Sequence, residues 1–136
     1  MGSTTALDEF GRRYAAAWCS QDPDQVAAHF SEAGWLRVNA NDAAVGRPAI
    51  AEVARGFMTA FPDMHVAFDE VVAQPEGTVF RWTLTGTNTG PGGTGHRVCI
   101  SGYEVWQLDG NGLIAESQGR FDAVDYERQL QYGVGV

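Results

Sequence analysis

A chain of 136 residues, 44% apolar, with four Trp, four Tyr and seven Phe, is the size of one domain with a real core and aromatics to spare for a pocket wall. Seventeen acidic residues outweigh nine basic ones for a formal charge of −8, and all nine are Arg, spread along the chain; this excludes a phosphate-neutralising basic stripe, attraction to anionic membranes and a Schiff-base lysine. No run approaches the ~18 apolar residues of a membrane span, and Met1-Gly2-Ser3-Thr4-Thr5 has neither a basic nor an apolar leader region, which predicts a cytoplasmic protein.

Leu7, Phe10, Tyr14 and Trp18 recur at three and four residues and share one face of a first helix, with Asp8, Glu9, Arg12 and Arg13 opposite. Asp22-Pro23 reads as an N-cap with Pro in the first turn, opening a short second helix through Phe30. Trp35 to Asn39 alternates as a strand, and Asn39 to Gly46 contains a turn. Pro48 opens a third helix that buries Ile50, Val53, Ala54, Phe57, Met58 and Phe61 and ends at Phe61-Pro62-Asp63, because a residue before proline resists the α region.

Met64 to Ala73, Thr78 to Thr87, Arg97 to Leu108 and Leu113 to Asp122 read as strands, joined by Gln74-Pro75-Glu76-Gly77, by a Gly-rich segment from Asn88 to Gly95 and by the hairpin turn Asp109-Gly110-Asn111-Gly112. Asp125 to Tyr132 closes the chain as a short helix. Helices first and hairpin-linked strands later predict one α+β domain over residues 1–136, with no repeat and no linker. In Arg97 to Leu108 one parity class holds Cys99, Tyr103 and Val105, the other Val98, Ile100, Trp106 and Leu108. Both faces are partly apolar, so both need cover; helices supply one and a second subunit the other, which predicts a homodimer.

The sequence holds no spaced metal-ligand set, nucleophile elbow, phosphate loop or dinucleotide fingerprint. The glycine-rich run from Gly86 to Gly93 opens no helix and carries no Lys, so it reads as a β-connection. Cys19 and Cys99 read as reduced core residues, His65 as a rim or surface histidine and His96 as solvated, and His29 is given no role. On the last strand Glu116, Gln118, Arg120 and Asp122 share a parity. They form either a solvated face with an Arg120–Asp122 pair, or a strand end that carries Asp122 over Tyr14 and Trp18, where aromatic walls would raise its pKa toward general acid–base work. Arg81, if buried, would need a carboxylate, and Asp122 is a candidate partner.

The segments Phe80-Arg-Trp-Thr-Leu-Thr-Gly-Thr-Asn-Thr-Gly90, Gly95-His-Arg-Val-Cys-Ile-Ser-Gly102, Leu113-Ile-Ala-Glu116, Asp122 and Gln129-Leu-Gln-Tyr-Gly133, with Gly46-Arg-Pro-Ala-Ile50 and Phe61-Pro-Asp63 upstream, resemble the SnoaL-like polyketide cyclases of the NTF2-like superfamily. The resemblance spans nearly the whole chain. It implies an α+β NTF2-like cone, a strongly curved antiparallel sheet closed by N-terminal helices, with a deep pocket and usually a dimer. It also implies metal- and cofactor-free aldol chemistry, with Asp122 at the position of the proton-exchanging Asp. Gln118 stands where family members often carry Trp, and Asn88 where they often carry His. Tyr14 matches the oxyanion-holding Tyr of related ketosteroid isomerases, whose base would fall near Val38. Arg81 and Asp122 match two members of the Asp-Arg-Asp set of related epoxide hydrolases, and Thr83 replaces the third.

These readings predict a cofactor-independent enzyme for a small apolar carbonyl compound. Asp122 is its general acid/base; Arg81, Tyr14 or Asn39 stabilises the oxyanion or positions water; Trp18 and Trp35 stack on substrate; and Gln118 contacts it. The alternatives are a non-catalytic binding protein using the same pocket and a structural dimerisation module.

Overall fold

In the computed structural model residues 5–134 are described; Met1–Thr4, part of the segment searched for a leader, and the last two residues lie outside them. The elements are α1 (Ala6–Cys19), α2 (Pro23–Ala27), β1 (Phe30–Val38), β2 (Ala44–Val45), α3 (Arg47–Ala60), β3 (His65–Gln74), β4 (Gly77–Thr87), β5 (Arg97–Leu108), β6 (Ile114–Phe121) and α4 (Ala123–Tyr132). The strands form one sheet in the order β2-β1-β6-β5-β4-β3.

Local chemistry sets the helix starts. Thr5 caps α1 by accepting the Asp8 N–H while Asp8 reaches back to the Thr5 N–H. Asp22 caps α2, with Pro23 in the first turn. Helix α3 begins after Gly46, which at φ 90° takes a conformation that favours glycine. The second helix is shorter than its sequence pattern, because β1 starts at Phe30 and bends at an irregularity between Phe30 and Trp35.

The hairpin-linked strands β3–β4–β5–β6 pair antiparallel as their turns predict. β1 departs from the expected antiparallel sheet and lies parallel to β6, with Leu36 opposite Ser117 and Val38 opposite Gly119. That pairing joins segments far apart in the chain, which side-chain periodicity does not report.

One face of the sheet carries Phe80, Leu84, Val98, Ile100 and Trp106 and packs against the helices. Tyr14 is fully buried at its centre, edge-on to Trp106 and Phe80 (ring centroids 5.3 Å from each), and Phe80 stacks on Trp106 at 5.0 Å. The opposite face is partly apolar, as expected. A row of Val72, Val79 and Val105 crosses β3, β4 and β5, and beside it Arg81, Tyr103 and Arg120 cross β4, β5 and β6. Cys99 is exposed on this face, not in the core as expected; Cys19 packs against the edge strand β3, accepting the Val66 N–H at 3.1 Å. Leu108, expected among the buried set, is turned out by a bulge between Gln107 and Leu108.

Candidate functional site

Between the helices and the inner sheet face lies a cavity of about 60 Å³. Trp18 comes from α1, Phe57 from α3 and Tyr126 from α4, while Phe80, Trp82, Leu84 and Ile100 line the sheet wall and Phe121 completes it at the end of β6. The rings of Trp82 and Phe121 meet edge to face at 5.9 Å, and Phe121 meets Tyr126 at 5.4 Å. Trp82 lies close against Gly102, where a Cβ would sit 2.5 Å from its ring.

One carboxyl breaks this apolar lining. Glu104, on β5, is 6% exposed. Its Oε1 accepts from the Tyr14 hydroxyl at 3.0 Å, the Trp106 indole N–H at 2.9 Å and the Ser117 hydroxyl at 2.7 Å; among the described residues Oε2 has only the shared Tyr14 contact at 3.2 Å. Burial raises the Glu104 pKa, and the three donors pull against that rise. Tyr14 is pushed well above its ordinary value, first by burial and then by the Glu104 charge. Tyr126 is raised to about 12, mainly by burial, with Glu127 adding to it. The arrangement is a carboxyl with one oxygen saturated and the other open to protonation or to a ligand, in surroundings that favour its neutral form.

Asp122 is not carried over Tyr14 and Trp18. It is exposed and caps α4, accepting the Asp125 N–H at 3.0 Å, because the helix begins at Ala123 rather than at Asp125. Arg81 is not buried and does not pair with Asp122; it lies on the outer face, 3.9 Å from Glu70, with its guanidinium 5.5 Å from the Tyr103 ring centroid. Tyr14 is present at the site but gives its hydroxyl to Glu104, and Trp18 lines the cavity. Trp35 and Gln118 have the opposite parity to Leu36, Val38 and Gly119, which face the cavity, so both point to the other side. Asn39, at φ 52°, holds the end of β6 by accepting the Phe121 N–H at 2.9 Å, and Gln118 donates to the Asn39 carbonyl at 3.0 Å. His65 is exposed, 3.7 Å from the Cys19 sulfur; His96, expected in solvent, bonds the Leu130 carbonyl at 2.9 Å.

Glu104 is the residue that sequence reasoning missed. The signal was its parity: it is the charged member of the class that contains Val98, Ile100 and Trp106. Among the described residues no group of His, Cys, Asp and Glu could hold a metal ion, and no helix is long and apolar enough to cross a membrane.

The bent sheet closed by helices is the ketosteroid isomerase-like, or NTF2-like, fold of solved structures. The solved structures that share the fold include three with TM-scores of 0.73–0.76. A protein from Catenulispora acidiphila with a ketosteroid isomerase-like fold, in complex with trimethylamine, is 15% identical, with 87% of this chain and 88% of that one covered, at a TM-score of 0.75. A putative SnoaL-like polyketide cyclase from Jannaschia sp. CCS1 is 14% identical over 97% and 99% (TM-score 0.73). AclR, a putative hydroxylase from Streptomyces galilaeus, is 22% identical over 94% and 86% (TM-score 0.76). The family profile described as SnoaL-like polyketide cyclase matches residues 9–130, and the chain belongs to that family. Among curated proteins none matches the sequence.

Proposed function

We propose that the protein is a cofactor-independent acid/base enzyme acting on a small apolar carbonyl compound held in the cavity. The observation that carries this reading is Glu104, a buried carboxyl at the wall of an otherwise apolar cavity, saturated on Oε1 and open on Oε2. Protonated on Oε2, it donates to the substrate's carbonyl oxygen and stabilises the charge that develops there when a neighbouring C–H proton leaves. Tyr14, Trp106 and Ser117 act through Glu104 by fixing its orientation. Asp122 caps α4 outside the cavity, and we assign to it the exchange of that carbon-bound proton with solvent for a substrate whose reacting carbon reaches past the Phe121 ring. Trp18 and Trp82 offer rings against which a flat substrate packs.

The test is hydrogen–deuterium exchange next to the carbonyl of cyclohexanone and acetophenone in heavy water, followed by NMR. The wild-type protein is expected to accelerate exchange. Glu104→Gln and Asp122→Asn are each expected to lose about a hundredfold or more while remaining folded. Full activity in Glu104→Gln would overturn the role of Glu104, and full activity in Asp122→Asn that of Asp122.

A non-catalytic binding protein is the second reading, favoured by the use of Asp122 as a helix cap. No exchange in the wild type, together with saturable ketone binding, would establish it. The Val72–Val79–Val105 row supports a homodimer across the outer face, for which a single monomeric species in sedimentation at micromolar concentration would be decisive against. Two free cysteines, one of them exposed, support a reducing, cytoplasmic setting.

A further inference from the structure

Glu104 stands at the cavity wall without a counter-charge. Its three donors, the Tyr14 hydroxyl, the Trp106 indole N–H and the Ser117 hydroxyl, converge on Oε1. Hydrogen bonds of this kind favour the ionised form of a carboxyl over the neutral one. A buried carboxylate also needs a cation beside it. None pairs with Glu104 among the described residues, where the ion pairs join Arg55 to Glu52, Arg81 to Glu70 and Arg128 to Asp125. Arg120 borders the cavity, but it is exposed and has the opposite parity to Gly119 and Phe121, so its guanidinium points to the outer face. Burial lifts the Glu104 pKa and only hydrogen bonds oppose the rise; no positive charge does.

The space next to this carboxyl is walled by rings. Trp18, Phe57, Phe80, Trp82, Phe121 and Tyr126 line it. Aromatic rings attract a cation that has left water, and the attraction grows as the site is desolvated. Polar surface is almost absent from the rest of the wall, so a ligand N–H that does not reach Glu104 Oε2 is left without an acceptor. A primary ammonium carries three such donors and a tertiary one carries a single N–H. One open oxygen in an aromatic enclosure therefore matches a tertiary ammonium, whose alkyl groups also suit the apolar wall.

We infer that the cavity is a cation site, which takes a small tertiary alkylammonium ion with its N–H on Glu104 Oε2 and its alkyl groups against Trp18, Trp82 and Tyr126. The inference goes beyond the proposed enzyme in the class of ligand. It uses the ionised carboxyl, whereas donation to a carbonyl oxygen uses the neutral one, and it rests on that reading only for the cavity as the place of binding.

The test is NMR titration of the full chain near neutral pH, at constant ionic strength, reading the Trp indole N–H signals. The Trp106 signal reports on Glu104 directly, through its bond to Oε1. Trimethylammonium chloride supplies the smallest tertiary ammonium, methylammonium chloride the charge with three N–H groups, and isopropanol a neutral molecule of similar size. Trimethylammonium is expected to shift Trp18, Trp82 and Trp106 saturably and to bind about tenfold or more tightly than either comparator. Glu104→Gln is expected to weaken trimethylammonium about tenfold or more. Trp18→Leu, which keeps the carboxyl, is expected to weaken trimethylammonium more than isopropanol. Trimethylammonium shifts no larger than those from an equal concentration of sodium chloride would overturn the site. Undiminished binding in Glu104→Gln would overturn the pairing with Oε2, and methylammonium binding as tightly as trimethylammonium would overturn the single-donor match. Ketone exchange is a separate readout: if it persists while trimethylammonium fails to bind, this inference falls alone, and if trimethylammonium binds while exchange is absent, only the enzymatic reading falls.

Discussion

Glu104 costs the folded chain something that its neighbours only partly return. Burial disfavours the carboxylate, and the hydrogen bonds from Trp106, Ser117 and Tyr14 oppose that penalty. Its folded pKa lies above the unfolded reference of 4.5, so the folded state holds the proton more tightly. The contribution of Glu104 is then intact below 4.5 and is lost as pH rises through the raised folded value. Glu104→Gln cannot ionise and loses this dependence. In calorimetry the wild type is expected to lose thermal stability relative to Glu104→Gln as pH rises above 4.5, and a pH-independent gap between the two would count against the shift. At this scale the sequence was legible where residue type and periodicity agree, as for Tyr14 and Trp18. It misled at Asp122, where a polar residue in strand phase proved to be a helix cap. It was silent at Glu104, because parity arguments follow the apolar members of a face and pass over the charged one among them.

Helix α4 is held to the sheet by a few polar contacts rather than by a broad apolar face. Gln129, 5% exposed, accepts the Cys99 N–H through Oε1 at 2.7 Å and donates to Asp125 at 2.9 Å, while His96 bonds the Leu130 carbonyl. Tyr126 brings the same helix to the cavity wall. Gln129→Ala removes the acceptor of the Cys99 N–H and is expected to cost about 1 kcal/mol in denaturant unfolding. In amide hydrogen exchange it should speed α4 while β4 and the centre of β5 stay protected; unchanged α4 protection would refute the staple. The helix itself was legible from its pattern, but its start was placed two residues late, since Asp122 and Asp125 are both competent caps and only the outcome of packing chooses between them.

For the molecule as a whole, element order and hairpin turns gave the fold class, and the family pattern extended it to the arrangement seen. Neither gave the relation between the two sheet faces, because inward and outward residues alternate with the same period on both. The row of Arg81, Tyr103 and Arg120 emerges only once register across β4, β5 and β6 is known. The same holds for the parallel pairing of β1 with β6, which no local signal encodes.

That pairing has a consequence for how the chain comes to be folded during its synthesis. Val38 waits for Gly119, made roughly eighty residues later, and at ~5–20 residues per second the first strand spends several seconds without its main partner. Over that interval Leu36, 2% exposed in the finished protein, has only the two-residue strand β2 beside it, and the cavity has no far wall. A chain ending at Asp109 is therefore expected to lack a cooperative unfolding transition in circular dichroism, whereas the full chain shows one, and to bind chaperones that recognise exposed apolar segments. The last strand, which completes the cavity, is on this expectation also what covers the apolar segments translated before it.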